Sequence, residues 1–491
     1  MMSNLVKRYL CWDEDLIEKS ENMQLLSHKP ERKNIALRCD DAWEGIHNGY
    51  GGLVKVGDTY RIYYRAYPAR TLVQNVANAP YPSEHSESVC LAESRDGITF
   101  TKPCLEKYEF YGTKANNIVY NREEENDNFS VFYDENPDCP ENERFKALSA
   151  FYINDYPYLR YYASADGYDF TYIRDLPLTG VFDTYQTIVW DKETKQYYVY
   201  YRNYHAPDGS EIPVDQSMEK ALRDVRVATS KDFIHFEELG RISFTDGEEP
   251  FQLYTNQVMK YFRDESTFIG FPVRYTDRVA EKENYADMPI YDYRSKVISS
   301  YGRGGTAQTD CLIMTSKDGK TFRRRDEAFM TSGPEGRANW WYGDNYCVYG
   351  MALTKSDIEG ADDEISMYFP EGYRVKNAHF RRYTIRQDGF FSWFGPYKGA
   401  EVLTKEIEIA SDSLAVNFAT SSAGSLKVTV CDENGNAIEG YESNVLFGDK
   451  VDRPVRFPKS LSALNGQRVR LRFEMKDAHL YSFAFLAGKQ G

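Results

Sequence analysis

Three groups of carboxylates in aromatic, polar surroundings are the residues of this chain whose pattern could do chemistry. Asp183 stands just ahead of "TIVWDKETKQYYVYY" and is followed by Thr184, Tyr185 and Gln186, where apolar residues would pack more easily. In "RCDDAWEGIHNGYGGLVKV", Asp40, Asp41 and Glu44 flank Trp43, and glycines at 49, 51 and 52 let the backbone pass close to a neighbour. In "TDGEEPFQLYTNQV", Glu248 and Glu249 precede the polar string Gln252, Tyr254, Thr255 and Asn256. Two carboxylates flanking a glycosidic bond can protonate its oxygen and attack the sugar or activate water. Partial burial lifts a carboxyl toward the neutral pKa a proton donor needs, and an indole beside an acid suits a sugar face. Each acid also has a structural alternative: an Asx turn for Asp183, a solvated loop for the Trp43 group, a charged turn for Glu248 and Glu249. Arg65, Arg202 and Arg274 at strand ends are further binding candidates, as are Asp310, Glu371 and Trp341 in later segments.

The elements that must position these groups are strands. Five segments share a turn: "AESRDGITF", "YASADGYDF", "ATSKDFIHF", "MTSKDGKTF" and "TIRQDGFFSW". In each a strand ends in a polar residue, Asp-Gly or Asp-Phe follows, and an aromatic opens the next strand. Their aspartates, Asp96, Asp166, Asp232, Asp318 and Asp388, lie 70, 66, 86 and 70 residues apart, a period that fits four-stranded propeller blades with generous loops. The expected fold is all-β: a lead-in over residues 1–30, a five-bladed β-propeller over 31–398, and a C-terminal β-sandwich over 399–491. A propeller gathers the ends of its inner strands around one axial funnel, where an acid ahead of an inner strand would point.

Composition narrows the partners. A formal net charge of −15 disfavours nucleic acid and anionic membrane surfaces. The first residues lack the apolar core of a signal peptide and no run reaches a membrane span, so a cytoplasmic protein is expected. Eight cysteines without a CxxC pair and seven histidines without HExxH indicate neither a disulfide framework nor a metal site. No cofactor is expected.

With these residues the chain resembles the five-bladed propeller glycoside hydrolases: family 32, the invertase and levanase group, and family 43, the arabinanase and xylosidase group. The resemblance spans about residues 30–395, and the trailing segment is similar to the sandwich that follows the propeller in the invertase group. There an Arg-Asp-Pro motif carries an acid that stabilises the transition state. Asp183 stands in its place, with Phe182 and Thr184 for the Arg and Pro. The first-blade motif Asn-Asp-Pro-Asn-Gly puts Gly49 in the nucleophile position, so an acid would come from upstream, Glu44 or Asp40 ahead of Asp41. Tyr254 falls near the Glu of the Glu-Cys-Pro motif, which leaves Glu248 or Glu249 as proton donor. The resemblance implies a divergent glycosidase acting on an oligosaccharide or small glycoside. The alternatives are a carbohydrate-binding propeller without catalysis and a phosphorolytic enzyme using Arg65, Arg202 and Arg274. A homo-oligomer through the sandwich is a further expectation.

Overall fold

The computed structural model describes residues 5–67, 87–121, 127–154, 156–213, 221–245, 251–373, 375 and 378–487. The chain divides into two compact units, one of Glu31–Thr354 with Ser366–Thr384, the other of Met1–Pro30, Lys355–Ile365 and Ile385–Gly491.

The larger unit is a β-propeller of antiparallel meanders. Its first sheet runs Gly51–Val56, Thr59–Ala66, Ser88–Ser94 and Ile118–Tyr120 in spatial order, the second Asp127–Tyr133, Phe145–Ile153, Tyr156–Ser164 and Thr171–Leu176. The third runs Thr187–Asp191, Gln196–His205, Leu222–Ser230 and Glu237–Arg241. A last sheet joins Ala352–Thr354, Glu364–Glu371 and His379–Arg386 to Glu31–Arg38, so a strand from before the first sheet closes it. Neighbouring sheets meet over separate apolar seams. Tyr63, Val131 and Tyr162 fill the first seam, Ile188, Val199 and Tyr161 the second, Tyr200, Leu312 and Met314 the third. Leu53, Ile62, Tyr368 and Phe380 join the first sheet to the last. The ring also closes by backbone, with Leu53 N donating to Tyr349 O and Tyr349 N to Gly51 O.

The repeated turn is one local device used four times. Ser94, Ser164, Ser230 and Ser316 each accept, at 2.9 Å, the backbone N–H three residues on. Each turn's Asp then accepts the second following N–H at 2.8 Å. The fifth look-alike differs: Arg386 stands where the Ser would be, and Asp388 is buried in the other unit, bonded by Arg8 and Ser482. Five equal four-stranded blades are therefore not what forms. There are four four-stranded sheets, and the Asp318 hairpin belongs to a wider seven-stranded sheet. The 86-residue spacing before Asp318 reflects an insertion that carries the helices Tyr291–Tyr301 and Arg303–Thr306.

In the smaller unit the strands join in one ten-stranded sheet around a single apolar core. Two strands of 19 residues, Ser413–Cys431 and Arg468–Leu486, pair along most of their length and bend at register shifts, which keeps the ladder continuous. The expected lead-in belongs to it: Leu5–Leu10 pairs with Arg468–Leu486, and Ile17–Glu21 with Ala400–Thr404. Among the described residues no helix is long and apolar enough to cross a membrane.

Candidate active site

In an antiparallel meander the first and third strands start on the face where the second ends. Residues at those three positions in different blades therefore converge. Asp183 precedes the first strand of the third sheet, and Glu87 the third strand of the first sheet. Arg65 and Arg202 lie near the ends of second strands, and Tyr373 just beyond another.

The turn carrying Asp183 is anchored on both sides. Phe182 has φ 58° and is fully buried against Tyr201, a left-handed conformation unusual for a bulky residue. Thr184 N closes the turn onto Phe182 O, and its Oγ1 donates to Tyr254 O at 2.9 Å. Only the Asp183 side chain between them, 47% exposed, faces outward.

One residue links two carboxylates. Asn128 donates its backbone N–H to Glu87 Oε1 at 3.0 Å and its Nδ2 to Asp183 Oδ1 at 3.4 Å. Its φ of 58° lies in the left-handed region that asparagine tolerates. A guanidinium faces each acid: Arg65 Nη1 is 3.5 Å from Glu87 Oε2, and Arg202 Nη1 is 3.5 Å from Asp183 Oδ2. Burial raises the Glu87 pKa to about 7, helped by the Asp183 charge and opposed by Arg65 and the Asn128 N–H. At neutral pH Glu87 is thus partly protonated beside a second carboxylate.

Aromatic rings wall the site. Tyr50 stacks on Tyr346 (centroids 5.4 Å) and Tyr346 on Tyr254 (5.7 Å). Arg65 lies over Tyr50 at 4.6 Å and Arg202 over Tyr254 at 4.0 Å, holding the guanidiniums in place. Tyr373 Oη accepts from Arg65 Nη2 at 3.0 Å, and His47 stacks on its ring. Hydroxyls and guanidiniums around two acids are groups that can hydrogen-bond a sugar.

Of the residues singled out in the sequence, Asp183, Arg65, Arg202 and Tyr254 meet here. Tyr185 and Gln186 are buried beneath: a Cβ on Gly52 would sit 1.9 Å from Tyr185 Oη, and Gln186 Nε2 donates to Phe182 O. Asn256 is tied by Thr187 Oγ1 and Val258 N. Glu248 and Glu249 lie outside the described residues.

The Trp43 group is placed elsewhere and does not join the pair. Glu44 is fully buried, bonded by Tyr64 Oη at 2.5 Å, Lys102 Nζ at 2.8 Å and Asp41 N. Burial pushes its pKa up, while Lys102 and Tyr64 hold it down. Carboxylate oxygens of Asp40, Asp41 and Glu44 lie within 4.8 Å of one another, and the Lys102 ammonium sits among them at 3.4, 2.8 and 2.8 Å. A cation is already built into this cluster. Trp43 donates its indole N–H to Asn117 Oδ1 at 2.7 Å and packs, half-buried, against the seam of the first and last sheets.

Three later candidates are likewise engaged. Arg274 and Asp310, directly opposite on paired strands, form a bidentate ion pair of 3.0 and 2.5 Å. Glu371 is held by Arg32, His379, Arg381 and Tyr383, whose hydrogen bonds outweigh burial and keep it well below the usual carboxylate range. Trp341 is 1% exposed under Arg294. Glu87 was not among the sequence candidates, which stood ahead of first strands, and neither were Asn128, Tyr50, Tyr346, Tyr373 and His47. The signal available was an acid opening a third strand beside an arginine ending a second.

No protein-family model matches the chain, and no curated protein does. Among solved structures it is similar to a glycoside hydrolase, at 10% identity over 73% of this chain and 92% of the other, with a TM-score of 0.45. An N-acetylgalactosamine deacetylase from F. plautii matches at 12% identity over 91% and 95%, with a TM-score of 0.43. An exo-β-1,3-galactanase from Phanerochaete chrysosporium matches at 9% over 94% and 100%, with a TM-score of 0.37. Likenesses of this size carry no argument about activity, which rests on the site's own residues.

Proposed function

We propose that the protein is a glycoside hydrolase that cleaves an oligosaccharide or small glycoside in the axial site. The observation that supports this best is the Asn128-linked pair, in which burial holds Glu87 near a pKa of 7 while Asp183 faces Arg202. Glu87 donates its proton to the departing glycosidic oxygen, and Asp183 attacks the anomeric carbon or takes a proton from the attacking water. Asn128 keeps the two acids in register. Arg202 orients Asp183, and the buried, stacked tyrosines hold Arg65 and Arg202 against the two acids. Hydrolysis of this kind needs no cofactor. The residues supporting it differ from the family-32 pattern in the donor, which here opens a third strand of the first sheet.

A phosphorolytic reading keeps Arg65 and Arg202 but not Arg274, which Asp310 engages. Release of sugar from a broad panel of aryl glycosides and plant oligosaccharides, with and without phosphate, tests the proposal. Phosphate-independent release, lost in folded Asp183→Asn, is expected. No release from any substrate, or release that requires phosphate, would overturn it.

A further inference from the structure

Outside the axial site, a cleft of about 200 Å³ lies between the third sheet and the seven-stranded sheet. Three guanidiniums line it, those of Arg223, Arg241 and Arg324, together with the rings of Phe244 and Phe251 and the acids Asp208 and Asp224; Arg324 Nε already donates to Asp326 Oδ1 at 3.0 Å. The buried acid on its wall, Asp224, is already neutralised. It accepts from Arg226 Nε and Nη2 at 2.8 and 2.9 Å and meets His205 Nδ1 at 3.0 Å. Lys320 nearby is held below the ordinary lysine value by burial and by the charges of Arg226 and Arg241. Arg223 has a buried Nε with no acceptor among the described residues, although its Nη1 donates to Gln252 Oε1 at 2.5 Å. Its guanidinium lies over Tyr275 at 4.7 Å and over Tyr254 at 5.3 Å. Tyr254 also lies under Arg202, so Arg223 of the cleft and Arg202 of the carboxylate site share one ring.

Guanidiniums gathered in a small cleft, with an orphaned N–H and aromatic walls, fit an oxyanion carried on a compact ring. We infer that this cleft binds a sugar residue bearing an oxyanion, the carboxylate of a uronic acid or a sulfate ester, next to the residue held in the funnel. The sugar part of this inference rests on the glycosidase reading; the oxyanion part stands on the cleft alone.

Calorimetric titration of the full chain with D-glucuronate, glucose 6-sulfate, D-glucose and inorganic phosphate tests it. At least one charged sugar binds at least tenfold tighter than glucose or phosphate, roughly what one charge-assisted hydrogen bond supplies. Arg223→Gln and Arg241→Gln each weaken that binding about tenfold, and the Arg241 variant serves if the Arg223 one fails to fold. Glucose binding as tightly as both charged sugars, or folded variants binding like wild type, would overturn the inference. Phosphate binding as tightly as the charged sugars would overturn its sugar part. A charged sugar bound through these arginines by a protein that hydrolyses no glycoside would fail the funnel reading and leave the cleft standing.

Discussion

Replacing Glu87 with glutamine removes a titration that the fold imposes, and the size of that effect can be worked out. Burial lifts the Glu87 pKa from 4.5 to about 7, a shift of about 2.5 units, or about 3 kcal/mol at 1.36 kcal/mol per unit. Between those values the native state holds a proton that the unfolded chain has released. The contribution is therefore fully present below pH 4.5 and is lost as pH rises through 7. Glutamine keeps an acceptor for the Asn128 N–H and does not titrate. Urea unfolding of wild type and Glu87→Gln from pH 4.5 to 8.5 should show the variant gaining about 3 kcal/mol relative to wild type across that range. A difference between the two proteins that stays the same at every pH would refute the burial argument and, with it, Glu87 as proton donor.

The same shift predicts that hydrolysis declines as pH rises through about 7, because the donor loses its proton; a pH–rate profile flat from 6 to 8.5 would oppose this. Asp183→Asn should lower kcat by about 10²–10⁴-fold in initial-rate assays. Lys102→Met leaves buried Glu44 without its cation and should cost about 3 kcal/mol in urea unfolding, with the activity per folded molecule unchanged. Glu371 is held below its ordinary value, so its stabilisation is present above the unfolded pKa and lost as pH falls. Glu371→Gln should therefore lower stability at pH 7 and flatten the acid limb of the unfolding curve.

The propeller was legible because its repeated turn is local chemistry: a Ser oxygen and an Asp oxygen receive backbone N–H groups within a few residues. The fifth turn misled for the same reason. Asp388-Gly389 reads as another hairpin, yet Arg386 in the Ser position and the pull of Arg8 and Ser482 place it in the other unit. Asp183 was legible from an acid standing where the strand pattern calls for an apolar residue. Glu87 was not, because its meeting with Asp183 depends on Asn128 in a different sheet, and no spacing along the chain encodes that convergence. Glu44 shows the converse: acid beside indole looks like a sugar subsite until Lys102, 58 residues away in sequence, fills the space between the carboxylates.

The central claim is that Glu87 gives its proton to the leaving oxygen while Asp183 acts at the anomeric carbon. Hydrolysis rates of wild type, Glu87→Gln and Asp183→Asn, compared on glycosides with alkyl and with dinitrophenyl leaving groups, test it most directly. A dinitrophenolate departs without protonation, so Glu87→Gln should lose activity on alkyl glycosides and keep most of it on dinitrophenyl ones, while Asp183→Asn loses both. Equal losses on both substrates in Glu87→Gln, or full activity in either variant, would contradict the account.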